Sequence, residues 1–289
     1  MNYRHAFHAG NIADVLKHAT LARILVHLGE KAAPFRVIDT HAGTGRYDLA
    51  SARAARTGEW RDGIGRLWAA ELPDDIRGLL APYLAAVADA NPNGALRHYP
   101  GSPLIALHLM RPQDRLVACE LEPGAATALA AGLRRDARAR AVAIDGWTAL
   151  NAYVPPKERR GVVLIDPPYE EKHEFARLSD ALVGAQRKWA TGIFLVWYPI
   201  KDRVGPDRLA AVLRRNVTAK GAPKVMRVEL EWAIAEAPGP GGLAGSGLVV
   251  VNPPWRLAGE LRRILPALRA ALGGAVGGRA KVDWLAGEP

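Results

Sequence analysis

The sequence predicts an α/β domain built on a mostly parallel sheet with helices on both faces, and three observations carry that prediction. Apolar runs of strand length alternate with segments of helical periodicity along most of the chain. Several runs end in an acidic residue or open into a glycine- or proline-rich loop, at the edge where parallel sheets bind ligands. The longest apolar runs, such as Gly192 to Tyr198, are far short of the ~20 residues that cross a bilayer.

Composition narrows the class further. The 289 residues are 49% hydrophobic and 24% charged, which excludes a disordered or fibrous chain. Lys and Arg total 39 against 29 Asp and Glu, a formal charge of +10. Such a surplus favours a polyanionic partner through contacts that read no sequence. Cys119 is the single cysteine, so a disulfide framework and a cysteine-built zinc site are both excluded. Residues Met1 to His8 hold no apolar stretch of a secretory signal, and a cytoplasmic protein is expected.

Taken in order, Asn11 is placed to cap a helix, with Asp14 reaching back as in a capping box. Ile12, Val15, Leu16 and Ala19 follow at helical spacing, and Gly29 ends the segment. Phe35 to Asp39 reads as a short buried strand that runs directly into His41-Ala-Gly-Thr-Gly45. Further strands are expected at Arg115 to Glu120, Ala141 to Asp145, Val162 to Asp166, Ile193 to Tyr198, Val225 to Trp232 and Gly247 to Asn252. Between Tyr47 and Pro100 the pattern is helical, broken by Pro and Gly, with no strand. This reads as a helical insertion. Ala237 to Gly245 reads as a flexible loop.

Three motifs carry chemistry. The glycine loop after Asp39 lets backbone approach a ligand closely, although as a dinucleotide fingerprint it lacks the third glycine. Glu120 and Asp145 end strands. A carboxylate after the strand that follows a glycine loop can take both hydroxyls of a ribose, and Asp145-Gly146 can lie against the adenine. Helix capping would place acids there equally well. The sharpest motif is Asp166-Pro167-Pro168-Tyr169, directly after an apolar strand. Prolines fix the backbone and remove donors, so the Asp166 carboxylate and Pro167 carbonyl can accept both N–H bonds of an exocyclic amine. Tyr169 offers a flat ring for stacking a base. That arrangement aims an amine lone pair at an electrophilic methyl group, and positioning supplies most of the acceleration.

At these motifs the chain resembles, from end to end, the RlmJ-type 23S ribosomal RNA (adenine-N6)-methyltransferases. The resemblance rests on Tyr3-Arg-His-Ala-Phe-His-Ala-Gly-Asn11, Asp14 to His18, Asp39 to Tyr47, Tyr99-Pro-Gly-Ser-Pro103, Asp166 to Glu170 and Asn252-Pro-Pro-Trp255. It implies a Rossmann-like class I S-adenosylmethionine-dependent methyltransferase fold, with a helical insertion in a sheet expected to have seven strands, the last antiparallel. Expected segments are 1–46 (lid, helix, first strand and cofactor loop), 47–100 (helical insertion) and 101–289 (the remainder). The resemblance further implies that His18, His41, Ser102, Glu120, Asp145, Gly146 and Asp166 contact S-adenosylmethionine, and we add Gly43 of the loop. Asp166 is implied as proton acceptor, alongside Pro167 and Tyr169. Tyr3 is implied to touch the RNA, with Lys17 near the site. The implied substrate is one flipped adenine of 23S ribosomal RNA, adenine 2030 in the family. No metal and no membrane are expected, and the protein is expected to be monomeric.

Competing readings remain open at this point. They are methylation of DNA adenine or of a protein glutamine, a nucleotide-binding oxidoreductase, and a non-catalytic RNA-binding module. Lys201 to Arg227 (eight basic, two acidic residues) and Arg134, Arg135, Arg138 and Arg140 are either solvated faces or phosphate-tracking surfaces. His5, His8 and His18 with Asp14 lack the spacing of a metal site.

Overall fold

Helix α1 (Ile12–Gly29) is buried along most of its length, so it works as an interior strut rather than a surface helix. Its start is doubly tied. The Asn11 side chain accepts the Asp14 N–H at 3.0 Å, and the Asp14 carboxylate accepts the Gly10 N–H at 2.8 Å. The computed structural model describes residues 7–171, 173–216, 223–232, 243–273 and 279–287.

After α1 come β1 (Arg36–Asp39) and β2 (Arg46–Asp48), then α2 (Ala52–Thr57), a π-helical turn Arg61–Gly65, α3 (Arg66–Ala69) and α4 (Asp74–Asp89). The chain continues through β3 (His98–Pro100), α5 (Ser102–Leu109), β4 (Arg115–Glu120), α6 (Pro123–Leu133), β5 (Ala139–Ala143) and α7 (Gly146–Tyr153). Next are β6 (Gly161–Ile165), α8 (Glu174–Lys188), β7 (Ile193–Ile200) and α9 (Val204–Asn216). Last come β8 (Val225–Glu231), β9 (Gly245–Val251), α10 (Leu257–Ala271) and β10 (Arg279–Ala286).

The main sheet runs β10-β8-β9-β7-β6-β1-β4-β5. Strands β7, β6, β1, β4 and β5 are parallel neighbours, and β9 is antiparallel to both β7 and β8. This is a Rossmann-like α/β sheet, with loops after β1, β4 and β6 meeting at one edge. Side chains alternate between two layers, as pleating requires. Leu164 and Leu195 join α1, α5 and α10, whereas Val163, Ile165, Phe194 and Val196 pack on α8 and α9.

Two expectations need correction. The sheet has eight strands rather than seven, because β10 pairs antiparallel with β8 at the edge. Its sequence, Arg-Ala-Lys-Val-Asp-Trp-Leu-Ala, interleaves charges with apolar residues and is half-buried, so it lacks the apolar run of the central strands. The insertion also contains strand, since β2 and β3 pair antiparallel. Three residues apiece are too few to show an alternating pattern. The third expected strand lies two residues earlier, at β5, which frees Asp145 to cap α7.

An ion cluster fastens the edge. The Arg227 guanidinium grips Asp283 at 2.9 and 2.7 Å, and Lys281 reaches the same carboxylate at 2.6 Å. Burial alone would raise the Asp283 carboxyl, but Arg227 and Lys281 hold it at about 2, below its ordinary 3.8. A depressed carboxyl stabilises the fold above the unfolded pKa, and that contribution is lost as pH falls from about 3.8 through 2. Asp283→Asn is expected to lose roughly 1–2 kcal/mol at pH 7, measured by urea unfolding, with the gap from wild type closing below about pH 3.

Candidate active site

The carboxyl ends of β1, β4 and β6 and the start of α7 enclose a cleft of about 530 Å³, the size of a small-ligand pocket. Thr40, His41, Gly43, Glu120, Asp145, Gly146, Asp166 and Pro168 line it.

The loop after β1 is shaped by its glycine. Gly43 has φ +61°, and a Cβ there would lie 2.0 Å from the Tyr47 hydroxyl oxygen. Its N–H donates to Glu120 Oε2 at 2.8 Å, and Glu122 N–H donates to Glu120 Oε1 at 2.8 Å. Two amides therefore fix the Glu120 carboxylate at the cleft wall. Asp145 accepts the Thr148 N–H at 2.9 Å as N-cap of α7 while also lining the cleft, so one side chain serves as cap and as cleft wall. Backbone passes close at Gly146, where a Cβ would meet Thr40 O and His41 Cε1 at 2.5 Å. His41 meets Trp147 edge-on at 5.6 Å. Burial pulls its imidazole down to about 4, outweighing Asp166 and Asp145, and leaves it neutral at pH 7.

At the other end, β6 delivers Asp166-Pro167-Pro168-Tyr169 to the cleft. Tyr169 has φ +53°, and its hydroxyl donates to the Trp197 carbonyl at 2.7 Å. Its ring packs on Phe175 (4.9 Å) and edge-on to Trp197 (5.5 Å). Lys17 of α1 donates to Asp166 Oδ2 and pairs with Asp14 at 2.7 Å. The Lys17 side chain is 3% exposed, Asp14 1% and Asp166 12%. Burial by itself would lower the Lys17 ammonium, yet the two carboxylates more than offset it and hold it raised and charged. Among the described residues nothing hydrogen-bonds Asp166 Oδ1.

Other expected site residues sit elsewhere. His18 is buried beneath the cleft, its Nδ1 2.7 Å from the Tyr99 hydroxyl, which meets Tyr83 at 2.9 Å. Ser102 is the first residue of α5, buried against Asp39. Neither lines the cleft. Pro167 is buried, and neither it nor Tyr169 is among the residues that line the cleft. Tyr3 and His5 lie outside the described residues, and His8 pairs with Glu59 rather than with His18. Arg203 and Arg227 in the long basic stretch, and Arg138 in the short one, are spent on carboxylates, so neither stretch is a uniform phosphate-facing surface. Among the described residues, no helix is long and apolar enough to cross a membrane.

The family model described as "Ribosomal RNA large subunit methyltransferase D, RlmJ" matches residues 32–286. The chain belongs to the RlmJ family. It is 42% identical over 288 residues to ribosomal RNA large subunit methyltransferase J of Escherichia coli (strain K12), covering all of both chains. The protein of the same name from Haemophilus influenzae is 40% identical, again over the full length of both. The crystal structure of protein LPL1258 from Legionella pneumophila is similar throughout, with TM-score 0.86, 33% identity, and 96% and 98% of the two chains covered.

One residue of this RlmJ-family site escapes a reading by motif. Asp39 ends β1, is 1% exposed, and its Oδ2 has no hydrogen-bond partner among the described residues. An acid at the end of a strand, just ahead of a glycine loop, is the signal that could have singled it out. Burial lifts its carboxyl to about 7, with Ser102 pulling the other way and Asp166 adding to the rise. Folding therefore takes up a proton between the unfolded value of 3.8 and about 7, and stability falls as pH rises across that window. Asp39→Asn is expected to gain on wild type in melting temperature between pH 5 and 8. A pH-independent difference would show that the carboxyl titrates normally.

Proposed function

We propose that this protein methylates N6 of a single adenine in 23S ribosomal RNA, adenine 2030 by family correspondence, using S-adenosylmethionine. The observation that carries the reading is Asp166 of the Asp-Pro-Pro-Tyr motif lining the cleft beside Pro168, with one carboxylate oxygen tied to Lys17 and the other without a hydrogen-bond partner among the described residues. The names of the relatives, ribosomal RNA large subunit methyltransferases, support the substrate class.

The cleft suits the cofactor. Its volume fits a nucleoside-sized ligand, glycines stand where a side chain would collide, and Glu120 is a fixed acceptor for ribose hydroxyls. Gly43, His41, Asp145 and Gly146 would hold the remainder of S-adenosylmethionine, which supplies an electrophilic methyl sulfonium when bound. Asp39, backed by Ser102, and His18, held by Tyr99, would contribute from beside the cleft.

Asp166 Oδ1 and the Pro167 carbonyl accept the two N–H bonds of the adenine amine, drawing its lone pair out of conjugation. A base must leave its stack to reach them. Tyr169 is fixed in place for that base by its bond to the Trp197 carbonyl. As the new C–N bond forms, Asp166 accepts the proton the amine gives up, and Lys17 keeps the carboxylate oriented. Tyr3 would contact the RNA. The reading takes the protein as a monomer, and the substrate supports a cytoplasmic location. We assign 1–46, 47–100 and 101–289 as lid with cofactor loop, helical insertion and remainder.

The test is transfer from labelled S-adenosylmethionine to protein-free large-subunit RNA, followed by nucleoside analysis. Label is expected in N6-methyladenosine, and Asp166→Ala is expected to lower the rate at least ~100-fold. Label in DNA or protein instead would overturn the substrate assignment.

A further inference from the structure

The helical insertion does more than cover one side of the fold: it holds the turn that leads into α1. Glu59 follows α2 and precedes the π-helical turn. Its Oε1 lies 2.8 Å from His8 Nδ1, and its Oε2 accepts Asn11 Nδ2–H at 3.0 Å. Asn11 is also the cap of α1, accepting the Asp14 N–H at 3.0 Å. Asp14 in turn accepts the Gly10 N–H and pairs with Lys17 at 2.7 Å, and Lys17 bonds Asp166. Hydrogen bonds and ion pairs therefore run unbroken from an acidic residue of the insertion to the carboxylate at the reactive end of the cleft.

The backbone of the insertion reinforces the same turn. Ile64 N–H donates to the Gly10 carbonyl at 2.8 Å. A Cβ on Gly63 would lie 2.1 Å from that carbonyl oxygen, so the π-helical turn closes directly on residues 10 and 11. Gly63 itself has non-helical backbone angles, φ −91° and ψ −108°, so the chain kinks where it meets residues 10 and 11. Ile64 of the same turn is fully buried, whereas the Glu59 and His8 side chains are each 36% exposed.

We propose that Glu59 is a positioning residue for methyl transfer. It fixes the turn at residues 8–11 so that Asp14 and Lys17 present the Asp166 carboxylate in one arrangement. The inference rests on the function proposed above, because it assumes that Asp166 receives the amine.

The experiment uses the full chain, in-vitro-transcribed large-subunit RNA and labelled S-adenosylmethionine, with Glu59→Ala, Glu59→Gln, Lys17→Met and Glu59→Ala/Lys17→Met compared in single-turnover and steady-state assays. Glu59→Ala is expected to lower kcat about tenfold or more, with KM for both substrates within about twofold. Glu59→Gln keeps an acceptor for Asn11 and is expected to recover to within about threefold of wild type. In the Lys17→Met background, Glu59→Ala is expected to cost nothing further, because its route to Asp166 is already cut. The inference is overturned by a rise in KM for RNA with kcat unchanged, by equal losses from Glu59→Ala in both backgrounds, or by no loss at all. A wild type that methylates DNA or protein but no RNA overturns the substrate reading and leaves Glu59 to be judged on that acceptor. A wild type inactive on every acceptor overturns the functional reading and this inference with it.

Discussion

The buried ammonium of Lys17, held between Asp14 and Asp166, is the interaction on which the arrangement depends. Three charged groups sit almost without solvent where α1 meets the sheet. Removing charges from water is expensive, and only close mutual pairing makes their burial tolerable. Each group is therefore confined to the position where it meets the next. Asp14 is fixed further by the Gly10 amide, and Asp166 by the proline-stiffened turn after β6. One ion triad thus sets the N-terminal helix, the central strand and the reactive loop relative to one another.

The opposite wall of the cleft is built by different means. There the positioning is done by backbone: two amides on Glu120, a left-handed glycine under Tyr47, and a strand-to-helix turn at Gly146 too close to His41 for any side chain. Rigid dipoles and glycine-lined contacts suit a ligand recognised along its length. The Asp166 carboxylate has one oxygen committed to Lys17 and, among the described residues, one without a hydrogen-bond partner, which suits the transient acceptor proposed above. The two ends of the cleft differ in construction as binding and transfer differ in their demands.

Much of this was legible in the sequence, because it is local. The cap at Asn11, the buried strands beginning at β1, the glycine loop and the double-proline motif are all written in contiguous residues with their own physical logic. What was not legible depends on distance or on company. Lys17 and Asp166 stand 149 residues apart, and no periodicity announces that they touch. Strand β10 takes its place from the charges of Arg227 and Asp283, not from an apolar run. His18 reads as a ligand residue by correspondence, yet its imidazole is engaged with Tyr99 below the cleft. Asp145 caps α7, as its place ahead of a helix suggested, and the same side chain forms part of the cleft wall.

The most direct measurement of the central claim is a stability cycle on Lys17→Met, Asp166→Asn and the double variant, followed by urea unfolding at pH 7. Lys17→Met leaves two buried carboxylates uncompensated and is predicted to lose about 3–5 kcal/mol. The double variant removes one of them and is predicted to be more stable than Lys17→Met alone, while transferring no methyl group. A double variant destabilised by the sum of the two single losses would mean that Lys17 and Asp166 do not act as a unit, and would contradict the account.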